Sequence, residues 1–64
     1  EDDLAAALIR LPARYREILL LHYHHGYSRK ELAQMLEMSY VAVQQLIWRA
    51  KDALREQLEG GSDK

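Results

Sequence analysis

Turn residues are almost missing from this 64-residue chain, which has one proline, Pro12, and glycines only at positions 26, 60 and 61. A β-sandwich or a βαβ unit needs chain reversals every roughly 8–12 residues, and each reversal calls for glycine, proline or a cluster of small polar side chains. The scarcity of such residues predicts an all-α domain, a compact four-helix unit of residues 1–58 followed by a flexible tail, 59–64. With no methionine at its start, the sequence is expected to be a piece of something longer.

The four helices follow from spacing and from stop signals. The first is expected from Asp3 to Arg10, with Leu4, Leu8 and Leu11 on one face. Its acids Glu1, Asp2 and Asp3 sit at the positive end of the helix dipole. Pro12 suits the first turn of a second helix, where a missing N–H costs nothing, and that helix is expected to run from Pro12 to His25. Tyr15, Ile18, Leu19 and His22 share one of its faces, and Leu20, Leu21 and Tyr23 widen the apolar surface. A helix apolar over so much of its circumference is central to its domain. Gly26 supplies the left-handed residue that ends it.

Ser28-Arg29-Lys30-Glu31 is a capping box, the clearest helix start in the chain. Leu32, Ala33 and Leu36 form the inner face of the third helix. Ser39 is placed to cap a fourth, from Tyr40 to Leu58, with Val43, Ile47, Ala50, Leu54 and Leu58 as its buried stripe and Leu46 and Ala53 on its flank. Gly60 and Gly61 are expected to stop it, leaving Ser62, Asp63 and Lys64 as a loose end.

A helix of about two turns, a tight turn and a longer helix is the helix-turn-helix plan, in which the second helix enters the major groove of DNA. Ala33 is small where the helices must cross, and Leu36, Met38 and Val43 can close the small core between them. The same plan also serves as plain architecture in helical bundles.

The residues Leu11-Pro12, Arg16 to Leu21, Gly26-Tyr27-Ser28, Glu31-Leu32-Ala33, Leu36, Ser39, Val43 and Arg49-Ala50-Lys51 fall in a familiar order. Over Leu8 to Leu58 the chain resembles region 4 of bacterial sigma-70 family factors, and within them the extracytoplasmic-function (ECF) group, with its pattern LPxRxRE…GxS…EIA…S…V…RA. The resemblance implies a DNA-binding domain that recognises the promoter −35 element, docks on the β flap of RNA polymerase for transcription initiation, and is masked by an anti-sigma factor. It also implies a cytoplasmic, bacterial setting without membrane insertion. Carried over residue by residue, Arg29 and Lys30 would hold phosphates, while Gln44, Gln45, Trp48 and Arg49 would face the groove. Tyr40, just inside the fourth helix, would bond a phosphate or cover the turn.

Several positions depart from the common family pattern S-V-G-T-V-K-S-R-L-H-R-A. Ala42, Gln44 and Leu46 replace a threonine, a lysine and an arginine, and Glu37 stands where a glycine often makes the turn. Glutamine still offers a bidentate contact to adenine N6 and N7, worth about 1–3 kcal/mol of discrimination. Trp48 can meet a thymine methyl, anchor a protein partner or pack partly into the core, and Arg49 can bind DNA or pair with Asp52 at i+3. Two alternatives follow: a sigma-like helical module that binds proteins, an anti-sigma factor or polymerase, with little DNA binding, and a LuxR-type helix-turn-helix regulator domain.

Other chemistry finds little footing. Cysteine is absent, which excludes disulfides and thiolate metal sites. His22 and His25 are one turn apart, but no carboxylate or cysteine nearby completes a set of three or four ligands, so no metal or other cofactor is expected. No glycine-rich phosphate loop or nucleophile–base pair suggests an enzyme. The formal charge of −1 argues against nucleic acid at first sight, yet Leu4 to Leu58 holds eight basic and five acidic side chains, a net +3 between acidic ends.

Overall fold

A computed structural model of the chain describes residues 3–63, with side chains described for 3–59. Four α-helices pack with no strand among the described residues: α1 (Asp3–Arg10), α2 (Ala13–Leu19), α3 (Arg29–Met35) and α4 (Tyr40–Asp63). The core is the all-α one expected. Ile18, Leu32, Val43 and Ile47 are its largest fully buried side chains, joined by Leu11, Leu19 and Ala50. Leu8, Leu36, Met38 and Leu54 close it from the sides. The stripes read at helical spacing thus face the same centre except at their outer ends, and α4 packs against α1, α2 and α3 alike. Leu58, expected in the buried stripe of α4, is exposed because it lies beyond the reach of the other helices. Leu4, at the start of α1, is half exposed instead, and Ala7 takes the buried place beside Leu11. Of the acids expected at the start of α1, Asp3 lies in its first turn, while Glu1 and Asp2 fall outside the described residues.

The second helix departs from expectation at both ends. Pro12 lies outside α2 as its N-cap, with ψ 147°, and α-helical geometry ends at Leu19. A π-helical turn, Leu20–His24, follows, closed by the His25 N–H on the Leu20 carbonyl at 3.0 Å. Beyond it the Tyr27 N–H reaches the Leu21 carbonyl at 3.1 Å, with Gly26 left-handed at φ +84°. The wide turn adds a residue without lengthening the helix in proportion, and three consecutive leucines, 19–21, satisfy either register, so apolar spacing does not reveal it. His22 Nδ1 donates to the Tyr27 carbonyl at 2.8 Å and pins the end of the turn.

The capping box is present in both directions: Glu31 N–H donates to Ser28 Oγ at 3.1 Å, and Ser28 N–H to Glu31 Oε1 at 2.8 Å. The connection to α4 turns on Glu37, which is left-handed at φ +57°, while the Met38 N–H reaches the Ala33 carbonyl at 2.9 Å. Ser39 Oγ accepts from the Ala42 N–H at 3.0 Å and starts α4. Its other end corrects the expected stop, because α4 passes through Gly60 and Gly61, and through Ser62, to Asp63. A glycine inside a helix costs only about 1 kcal/mol relative to alanine and does not by itself terminate one. Lys64, the last residue of the expected tail, lies outside the described residues.

Candidate nucleic-acid interface

The orientation of α4 follows from its buried stripe. With Val43, Ile47 and Ala50 fully inside, the opposite side of a 3.6-residue helix falls on Val41, Gln45, Trp48 and Asp52. Val41 is 61% exposed and Trp48 56%, so neither belongs to the core. Gln45 is exposed between them, whereas Gln44 is half-buried on the flank. The two glutamines, equivalent in the sequence, are therefore distinct in the structure. Tyr40 stands half exposed at the first position of α4.

Gln45 and Arg49 line one groove together with Arg14, Pro12, Tyr15 and Met38. Arg14 is held there by a contact of 3.3 Å from its guanidinium to the sulfur of Met38, across 24 residues of sequence. Trp48 lies beside Asp52 and Arg55 in a neighbouring shallow recess. The i+3 pairing that could have neutralised Arg49 is not made: Asp52 is engaged by Arg55 at 2.9 Å, and Arg49 has no ion pair among the described residues.

Arg29 and Lys30 open α3 and lie outside this groove. Lys30 is exposed; Arg29 is half-buried, and its Nε is shut from solvent without a hydrogen-bond partner. Only the terminal nitrogens of Arg29 are left to meet a phosphate. The groove sets two cations, Arg14 and Arg49, beside an exposed helix face, a combination of the kind that a nucleic-acid backbone and groove require.

Two features of this surface are absent from the set expected from the sequence. Arg14 is one, and its signal was its place in the run from Leu11 to Glu17. Val41 is the other; its exposure follows only from the phase of α4 once Val43 and Ile47 are known to be inside.

A second concavity lies between α1, the π turn and α4. Leu4, Leu8, Leu19, Leu20, Tyr23 and Leu54 make it apolar, and His24 and Lys51 are its polar members. Lys51 Nζ stands 5.9 Å from the centre of the Tyr23 ring. His24 and His25 pack edge to face at 5.0 Å, and His22 meets Tyr23 in the same way at 4.6 Å. Among the described residues no three His, Cys, Asp or Glu side chains are grouped to hold a metal ion. No helix among them is long and apolar enough to cross a membrane.

The sequence model of the family described as "Sigma-70, region 4" matches residues 1–54. The RNA polymerase sigma factor SigZ of Bacillus subtilis (strain 168) is 37% identical over 57 residues, which is 89% of this chain and 32% of that protein. The chain therefore spans about a third of the length of this curated relative. No solved structure matches the chain significantly.

Proposed function

The chain belongs to the sigma-70 region 4 family, and on that premise we propose that it is the promoter-binding domain of an alternative sigma factor of the ECF type. It recognises the −35 element through α4 and docks on the β flap of RNA polymerase. The observation that carries the DNA half is the convergence of Arg14, Gln45 and Arg49 on one groove beside the exposed face of α4. The helix immediately follows the tight turn at Glu37, as a recognition helix does. Arg29, Lys30 and Tyr40 lie at helix starts, where phosphate is favoured.

The apolar concavity built on Leu4, Leu20, Tyr23 and Leu54 suits the polymerase half, since an exposed apolar hollow on so small a domain has the character of a protein-docking surface. An anti-sigma factor that covers either surface would silence the domain. The unit works by positioning polymerase in the bacterial cytoplasm and catalyses nothing itself. Residues 1–58 are its functional part, with 59–64 as an appendage.

A salt titration of promoter duplex binding tests this. Affinity should fall steeply between low and moderate salt, and Arg49→Ala or Arg14→Ala should each reduce the slope of log affinity against log salt by about one. Absence of duplex binding at low salt overturns the DNA half and leaves the protein-binding module, a reading that the apolar exposure of Val41 and Trp48 would then explain.

A further inference from the structure

The outer face of α4 carries a second message, which rests on the DNA-binding function just proposed. From Met38 to Trp48 the chain has no charged side chain. The usual reader of guanine is an arginine or lysine that bridges O6 and N7, and the usual reader of cytosine is a carboxylate that accepts from N4. Neither exists on the first two turns of this helix, the part of a recognition helix that meets base edges. What the face does present is one amide between two exposed apolar groups. Gln45 stands between Val41 at i−4 and Trp48 at i+3, all three on the side opposite Val43 and Ile47.

We infer that α4 reads A·T pairs, with Gln45 on adenine N6 and N7 and with Val41 and Trp48 packed on thymine 5-methyl groups. The chemistry is complementary on each side. Adenine offers one donor and one acceptor to a single amide, and its partner thymine places the one methyl group of the major groove on the same pair. Val41 and Trp48 are seven residues apart, about 10 Å along the helix, or roughly three base steps. Arg14 and Arg49 lie together along one side of the strip and supply the phosphate attraction that it lacks. Gln44, half-buried on the flank, has no part in the base contact.

The test is a duplex recovered by this chain from a random-sequence library at low salt, then synthesised in two forms, one with thymine and one with deoxyuridine. The recovered core should consist of A·T pairs, and loss of each contacted methyl should weaken binding by about fourfold, the worth of one buried methyl. Val41→Ala and Trp48→Ala should each bring the thymine-to-uracil affinity ratio toward one, while Gln45→Ala should lower affinity and keep the ratio. All three side chains are exposed, so the variants should keep the wild-type helical circular dichroism. A recovered core of G·C pairs, equal affinity for the two forms, or a ratio unchanged in Val41→Ala and Trp48→Ala would each overturn the inference while leaving DNA binding in place. Recovery of no duplex at all would instead remove the DNA function on which it rests.

Discussion

Arg16 reaches back over the α1–α2 junction and donates to the carbonyl of Leu11 at 3.1 Å, with the Ile9 carbonyl at 3.3 Å from the same nitrogen. The last carbonyls of a helix have no partner within it, and proline at position 12 removes the next backbone donor. One half-buried guanidinium therefore holds α1 against the rest of the domain. Arg16→Ala should cost about 1–2 kcal/mol, toward the low end for charged hydrogen bonds because the site is partly solvated. In a domain of this size that lowers the melting temperature by about 5 °C or more. A thermal melt indistinguishable from wild type would show that α1 is held by the apolar packing of Ala7, Leu8 and Leu11 without help from Arg16.

Two left-handed residues predict stability changes of opposite sign. Gly26 has φ +84° and open space where a Cβ would stand, so Gly26→Ala meets no clash and pays only the torsional cost, about 1 kcal/mol. Glu37 already pays that cost at φ +57°, so Glu37→Gly should stabilise the domain by about 0.5 kcal/mol after the added freedom of the unfolded glycine is counted. Urea midpoints for the two variants should move in opposite directions.

The two candidate surfaces should be separable by mutation. Leu4→Asp and Tyr23→Ala alter exposed members of the apolar hollow and leave the Arg14–Gln45–Arg49 groove untouched. Each should weaken binding to the isolated β flap of RNA polymerase by at least about tenfold, the scale of a lost interface anchor. DNA affinity should be unchanged. Equal loss in both assays would mean that the variants disturb the fold rather than a surface.

Local chemistry made much of this architecture legible before the structure. The capping box at Ser28 and Glu31, the Ser39 cap and the Val43–Ile47–Ala50 stripe each act within a turn or two of helix, and all are where spacing puts them. The π turn was hidden because leucine at 19, 20 and 21 offers an apolar side chain to any register. The end of α4 is not legible in the sequence, because a glycine pair weakens a helix without supplying the interaction that stops it. At the candidate interface, Gln44 and Gln45 differ only through what lies beneath Val43 and Ile47, and Arg14 joins the groove through a contact 24 residues away in sequence. Such features depend on tertiary packing, which apolar periodicity does not encode.

One continuous helix, α4, carries Gln45 toward the first surface and Leu54 toward the second. Nine residues of helix turn through about 900°, which leaves the two side chains on opposite sides and about 13 Å apart along the axis. The helix thus acts as a protractor: the angle between whatever occupies the two surfaces is written in residue count. A single insertion between them would swing one surface about 100° against the other. The residue count of this segment, rather than the identity of its exposed side chains, therefore sets the angle between the two surfaces.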